Sequence, residues 1–68
     1  MGHSPYEQAV QLLPKIRAEQ GDYLDGPISL MQRHFRLGYK VAGQLVADLE
    51  QAGLLSEKDE AGGRWIKT

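Results

Sequence analysis

Near the start of the chain, apolar residues recur every three positions: Val10, Leu13 and Ile16. That spacing puts them on one face of an α-helix. Ser4-Pro5-Tyr6-Glu7 is typical of a helix start, because serine caps the first turn, proline suits the first position and glutamate bonds back to the cap. The pattern predicts a first helix over residues 5–20 that ends at Gly21. Pro14 lacks a backbone N–H and predicts a kink or a break in this helix.

Two further helical patterns follow the polar segment Gly21–Pro27, whose glycines, proline and aspartates predict a mobile loop. Ser29 and Gln32 match a second capping box, which predicts a short helix over residues 30–36. A third helix is predicted over residues 39–52, with Gly53 as its stop. Its apolar positions form one face: Ala42, Leu45, Val46, Leu49 and Ala52.

The hydrophobic period changes after Gly53. Leu54–Ser56 and Arg64–Lys67 are short segments with adjacent apolar residues, and the polar segment between them ends in two glycines. This arrangement predicts a β-hairpin with a flexible tip. Trp65 is expected to pack against the helices, because indole is large and mostly apolar. The element order predicts a mainly α fold with a small β-hairpin, which is a winged helix-turn-helix.

The composition limits the chemistry of this 68-residue chain, which is long enough for one small domain. There is no cysteine, and His3 and His34 lie far apart without carboxylates at ligand spacing, so we expect neither a disulfide nor a metal site. No catalytic constellation and no phosphate-binding loop is found, which predicts a domain that is not an enzyme and needs no cofactor. Residues 1–3 are expected to be disordered or a cloning remnant, and residues 4–68 to form the winged-helix domain.

Charge is unevenly distributed, although the net charge is only −1. From Arg33 to Lys40 there are three basic residues, one histidine and no acid, whereas acids outnumber bases before residue 27. A basic centre of this kind fits contact with phosphates, but a solvated face without a partner fits the charge equally well. No apolar run approaches the ~20 residues that a membrane span requires, so we expect a cytoplasmic domain without membrane contact.

The segment Leu37–Tyr39 joins the second and third predicted helices by a tight glycine turn, as in helix-turn-helix proteins. In such units the second helix enters the major groove of double-stranded DNA, with its amino-terminal residues near the bases. Lys40 is then placed to bind guanine, Val41 to contact a thymine methyl group and Gln44 to bind adenine.

Basic residues outside the third helix are predicted to hold the DNA backbone. Arg33 and Arg36 on the second helix suit phosphates. Arg64 and Lys67 are placed to bring the wing onto the backbone or into the minor groove. The hypothesis is therefore a domain that contacts phosphates from two sides of the third helix.

Each of these assignments has an alternative. Gln44 also fits a solvated polar position, Val41 fits partly buried packing, and Trp65 fits base stacking as well as the core. Tyr39 is expected to pack in the turn with its hydroxyl at the surface. The same face also fits a winged-helix module that docks a protein partner instead of DNA.

The segment from Ile28 to Lys40 resembles the carboxy-terminal gamma domain of the FtsK/SpoIIIE DNA translocases. Members typically read I-S-x-x-Q-R, then a large apolar residue, a base, an aliphatic residue and G-Y-N-R-A-A-R. Four residues of the present chain match at informative positions: Gln32, Arg33, Gly38 and Tyr39. The similarity extends to Pro5–Val10 and Leu49–Leu55, so it covers nearly the whole chain.

The resemblance implies a winged helix that recognises short, G-rich, polarised DNA and orients a ring-shaped ATPase motor, with Gln32 and Tyr39 among the DNA-binding positions. The segment Lys40–Gln44 replaces the family's N-R-A-A-R, which predicts a divergent member with a different DNA target. The motor itself is absent from this sequence. The expected partners are double-stranded DNA and either a site-specific recombinase or a parent ATPase motor, and the alternative function is docking of such a recombinase.

Overall fold

The computed structural model describes residues 4–67, so the expectation for residues 1–3 lies outside the described residues. The described part consists of three helices and two strands in the order α1 (Pro5–Gln20), β1 (Tyr23–Leu24), α2 (Pro27–Phe35), α3 (Tyr39–Gln51) and β2 (Arg64–Trp65). The predicted mainly α, winged helix-turn-helix fold is confirmed. Its core draws on both the helices and the sheet, with five large side chains fully buried: Leu13, Met31, Val46, Leu49 and Leu55.

Helix α1 begins as the sequence predicts and is not broken at its proline. The Ser4 hydroxyl accepts a hydrogen bond from the backbone N–H of Glu7 at 3.2 Å, which satisfies one of the unpaired donors of the first turn. Pro14 is exposed inside the helix, between Leu13 and Ile16, which are both buried. Burial of these two neighbours stabilises the helix by tertiary packing, which outweighs the backbone hydrogen bond that Pro14 cannot make.

Helix α2 begins earlier than its predicted capping box. Pro27 is the first helical residue and Gly26 the cap, without a side-chain cap bond. Ser29, predicted as the cap, therefore lies inside the first turn and is exposed. The reason is that proline presets the helical φ angle at the first position, which starts the helix before the serine is reached.

The turn between α2 and α3 does not depend on its glycine for backbone geometry. Arg36 ends α2 in the left-handed conformation, with φ 56° and ψ 46°, and its N–H donates to the carbonyl of Gln32. Gly38 caps α3 with φ −70° and ψ 166°, which is extended backbone that any residue adopts. The predicted glycine turn exists, but the left-handed residue that closes it is an arginine.

The segment predicted as a mobile loop contains a strand. β1 pairs antiparallel with β2, with Tyr23 opposite Trp65 and Leu24 opposite Arg64. The predicted hairpin is also present, since Leu55 bridges to Ile66. The 64–66 segment thus lies in the middle of a small three-segment sheet. The side chain of Leu24 is buried in the core, so this segment is part of the fold rather than a loop.

The tip of the hairpin is a hydrogen-bonded turn, where the sequence predicted a flexible one. The Asp59 carboxylate accepts from the backbone N–H of Ala61 at 3.0 Å and of Gly63 at 2.8 Å. It also accepts from the Tyr23 hydroxyl at 2.7 Å, which ties the tip to β1. This hydroxyl lowers the pKa of the Asp59 carboxyl, and the same bond raises the pKa of Tyr23.

Trp65 is not buried against the helices as the sequence predicted. Its residue surface is 52% exposed, and its ring packs edge-to-face on Tyr23 with ring centroids 4.9 Å apart. The alternation of a strand explains the difference, because successive side chains point to opposite faces. Ile66 is buried, so its neighbour Trp65 must face outward with Tyr23.

Candidate nucleic-acid interface

Helices α2 and α3 form the helix-turn-helix unit, joined by residues 36–38. The buried side of α3 holds Ala42, Leu45, Val46 and Leu49, which fixes the opposite side toward solvent. Lys40, Val41 and Gln44 are all exposed there, in the first two turns of the helix. These three predicted site residues therefore lie together on one accessible surface.

Val41 and Tyr39 are both more exposed than residues that pack against the fold. The exposed fraction is 54% for Val41 and 69% for Tyr39, so neither side chain is packed into the fold. For Tyr39, the expectation that it packs in the turn is wrong, because its side chain is mostly exposed at the first position of α3. Both side chains offer apolar surface beside Lys40.

Gln32 and Arg33 lie in the last turns of α2, just before the helix-turn-helix turn. Gln32 is half-buried and its backbone carbonyl accepts from the N–H groups of Arg36 and Leu37, so its backbone ends the helix. Arg33 is exposed, and its guanidinium lies 3.4 Å from the carbonyl oxygen of Ser29 one turn earlier. Arg33 therefore keeps most of its donors directed to solvent.

Three cations border the turn without an acidic partner. Arg33, Arg36 and Lys40 form no ion pair with any of residues 4–67. An exposed cation without an acidic partner is available to an anionic ligand without the loss of an ion pair. Arg36 and Lys40 thus flank the turn beside the exposed start of α3, while Arg33, about one helical turn earlier, lines a shallow cleft with Tyr23 and Asp25.

The arginine predicted on the wing is held inside the molecule. The Arg64 guanidinium donates to the Glu50 carboxylate at the end of α3 and to the carbonyl of Ser56 at 3.0 Å. Its side chain is only 13% exposed. This geometry gives Arg64 a structural role, connecting β2 to α3, and leaves it poorly placed to reach DNA. Lys67 is exposed beyond β2.

The structure adds two residues to this surface that the sequence analysis did not select. Asp48 lies one turn beyond Gln44, and its carboxylate accepts from the Gln44 amide nitrogen at 2.9 Å. Tyr6, from the start of α1, lines an open cleft together with Lys40, Gln44 and Asp48. The four-residue spacing of Gln44 and Asp48 was a signal for their contact, since such positions are neighbours on a helix.

Other kinds of site find no support in the described residues. Within residues 4–67, no group of three metal-ligating side chains lies close enough together to hold an ion. No helix of that part is long and apolar enough to cross a membrane.

Comparison with known proteins gives a consistent result. The Ftsk gamma domain family matches residues 4–68. The chain is 43% identical over 61 residues to the protein called DNA translocase FtsK 2 of Ralstonia nicotianae, an alignment that covers 90% of this chain and 7% of that protein. No solved structure matches the chain significantly. A family match over nearly every residue, on a winged helix-turn-helix fold, places the chain: it belongs to the FtsK gamma domain family.

Proposed function

We propose that this domain binds double-stranded DNA through the surface formed by α2, the 36–38 turn and the amino-terminal half of α3. The observation that carries the proposal is the concentration of unpaired cations in one short segment. Arg33, Arg36 and Lys40 lie within eight residues and have no acidic partner among residues 4–67. The other bases without an ion pair there, Lys15, Lys58 and Lys67, lie outside α2, the 36–38 turn and α3. Family membership supports the same function.

In this proposal α3 enters the major groove and its exposed face contacts the bases. Lys40 donates to the O6 and N7 atoms of guanine, Val41 contacts a thymine methyl group and Gln44 binds adenine. Arg33 and Arg36 approach the groove from the preceding helix and neutralise phosphates. Gln32 and Tyr39 complete the surface beside them.

The domain is proposed to act as part of a longer DNA-translocating protein. The chain spans only 7% of the length of the translocase it matches, so most of that protein lies outside the aligned part. We assign no catalytic step to the domain. Its proposed contribution is to select the DNA sequence on which a motor, or a recombinase bound to the same site, acts.

A salt titration with a random duplex tests this function. Binding through phosphates predicts that the logarithm of the association constant falls linearly with the logarithm of salt concentration, by about 0.9 for each neutralised phosphate. Arg33→Ala and Arg36→Ala should each weaken binding to all duplexes alike and reduce the slope by about one. Lys40→Ala and Gln44→Ala should instead relax the preference at particular base pairs.

Lys58→Ala is the matched control, because it removes one exposed positive charge from the hairpin, outside α2, the 36–38 turn and α3. It should leave the salt slope unchanged. If Lys58→Ala lowers the slope as much as Arg33→Ala does, the assignment of the interface to the helix-turn-helix unit is wrong. If all the variants of α3 shift every sequence alike, the assignment of base contacts is wrong.

A second candidate function is docking of a recombinase or another DNA-processing protein by the same face. The exposure of Tyr39 and Val41 favours it, because exposed aromatic and aliphatic side chains are typical anchors of protein interfaces. A domain that only docks a protein would show no measurable binding to duplex near physiological salt. The same titration therefore separates the two functions.

A further inference from the structure

Lys40, Gln44 and Asp48 form a ridge along α3, each one turn from the next. All three line the cleft between α3 and the start of α1. The carboxylate is the unexpected member, since it brings a negative charge to a helix proposed to enter a polyanion. The function proposed above gives Asp48 no part.

The structure shows what this carboxylate contacts. Asp48 Oδ1 accepts a hydrogen bond from Gln44 Nε2 at 2.9 Å, and Asp48 forms no ion pair within residues 4–67. A glutamine amide has two N–H donors and one carbonyl acceptor. Because the carboxylate is charged, it holds one of these donors more strongly than a neutral partner would. Gln44 is left with one free N–H and its carbonyl Oε1.

One donor and one acceptor match adenine but not guanine. In the major groove, adenine presents N7 as an acceptor and its N6 amino group as a donor. Guanine presents two acceptors, N7 and O6, and a bidentate partner for it must supply two donors. Gln44 with both N–H groups free is able to rotate toward either base. Held by Asp48, it retains the pattern for adenine, and the adjacent carboxylate repels guanine O6.

We infer that Asp48 is a positioning residue that makes Gln44 select adenine over guanine at the base pair beneath the second turn of α3. The inference rests on the proposed function, since it requires α3 to lie in the major groove. It identifies the exposed ridge as a reader of mixed sequence, with Lys40 supplying donors for guanine and the Gln44–Asp48 pair selecting adenine one turn later.

The test begins with selection of bound sequences from random duplexes by the 68-residue chain. Repeating the selection with Gln44→Ala identifies the base pair at which the preference is lost. Kd is then measured for duplexes with adenine or guanine at that position. The wild type should favour adenine by roughly fivefold or more. In Asp48→Ala this ratio should fall toward one, while both duplexes bind more tightly because a negative charge has been removed.

Two further variants separate positioning from charge. Glu57→Gln removes one exposed negative charge from the hairpin and should strengthen binding to both duplexes without changing their ratio. Asp48→Asn keeps the shape of the side chain, accepts more weakly from Gln44, and should give a ratio between those of the wild type and Asp48→Ala. Its retained shape also keeps the test valid if Asp48→Ala does not fold.

The outcomes distinguish a failure of this inference from a failure of the proposed DNA-binding function on which it rests. If the folded wild type binds no duplex, the proposed function fails and the inference fails with it. If the chain binds DNA but prefers guanine at the Gln44 position, or Gln44→Ala relaxes no base pair, only the inference is overturned. The same holds if the adenine-to-guanine ratio is identical in the wild type and both Asp48 variants.

Discussion

The helix-turn-helix unit and the sheet both carry arginine beside a turn, and they hold it in different ways. Arg36 is exposed, has no acidic partner among residues 4–67 and adopts a left-handed backbone that side chains rarely occupy. Arg64 is mostly buried and bonded to Glu50 and Ser56. The side chain of Arg64 thus holds the fold together, whereas the side chain of Arg36 forms no ion pair and no hydrogen bond within residues 4–67.

A similar contrast holds for the glycines of the two regions. A Cβ atom on Gly38 would meet no atom within 4 Å, and its φ of −70° suits any residue. A Cβ atom on Gly63 would overlap the Tyr23 hydroxyl and lie 2.8 Å from the carbonyl oxygen of Leu24. The sheet is therefore constrained by its own packing, whereas the helix-turn-helix turn has open space around it. Substitutions in the sheet should therefore lower the free energy of unfolding, whereas substitutions in the helix-turn-helix turn should mainly change the affinity for DNA.

The largest effect is expected from Gly63→Ala. The new methyl group would push Tyr23 and the β1 backbone away from the hairpin, and such overpacking typically costs about 1–3 kcal/mol. A loss of that size is a large part of the stability of so small a domain. Thermal unfolding followed by circular dichroism measures it.

Gly38→Ser is the matched glycine control. Ser4 caps α1 with φ −64° and ψ 157°, nearly the same backbone as Gly38, and its hydroxyl accepts from the first turn. A serine at position 38 should therefore cap α3 and keep or slightly raise the unfolding temperature. Equal destabilisation by the two substitutions would show that the helix-turn-helix turn is as tightly packed as the sheet, contrary to the comparison.

Arg36→Gly is expected to have an intermediate effect and, unlike Gly63→Ala, to stabilise the fold. Glycine adopts the left-handed conformation without strain, so the variant should gain about 0.5–1 kcal/mol after allowing for its more flexible unfolded chain. It should also bind duplex more weakly, with a salt slope reduced by about one. Denaturant unfolding and duplex titration on the same sample measure both changes.

Arg36→Ala separates the loss of the positive charge from the relief of backbone strain. Alanine lacks the charge but retains a Cβ atom, so this variant should lose the same affinity as Arg36→Gly without the gain in stability. If Arg36→Gly binds duplex as tightly as the wild type, the Arg36 side chain contacts no phosphate and its proposed part in DNA binding is wrong.

The same two regions show how far the sequence predicts the fold. Helical periodicity and capping residues identified α1 and α3 to within a residue, because these signals are local. β1 was missed, since Tyr23–Leu24 is only two residues long and its partner β2 lies about forty residues further along the chain. Pairing over such a distance leaves no local periodicity, while the flanking glycines and aspartates resemble a loop.

The sequence predicted which residues of the candidate site are exposed but not which side chains bond to each other. The exposed positions of α3 follow from its apolar face, so Lys40 and Gln44 were placed correctly on the surface. The bond of Gln44 to Asp48 and that of Arg64 to Glu50 depend on side-chain geometry, which a net charge does not reveal. Alternation along β2 was the available signal that a buried Ile66 requires an outward Trp65.

The smallest expected effect concerns the bond between Tyr23 and Asp59, which couples β1 to the hairpin tip. That bond holds the pKa of the Asp59 carboxyl below its usual value of about 4 and holds the pKa of Tyr23 above its usual value of about 10. A lowered acid pKa in the folded state contributes stability that is complete above about pH 4 and is lost as pH falls through the folded pKa. The raised pKa of Tyr23 contributes stability below about pH 10 that is lost as pH rises further.

Tyr23→Phe removes this coupling while keeping the ring that packs on Trp65. The unfolding temperature of the variant should lie below that of the wild type near neutral pH, and the gap should narrow as the pH falls below about 4. Tyr6→Phe is the matched control, because the Tyr6 hydroxyl makes no hydrogen bond within residues 4–67, and it should leave the profile against pH unchanged. A constant gap between wild type and Tyr23→Phe from neutral to acidic pH would show that the hairpin tip does not depend on the Asp59 charge. Because the bond lies in the sheet, duplex affinity at neutral pH should be the same in the wild type and Tyr23→Phe.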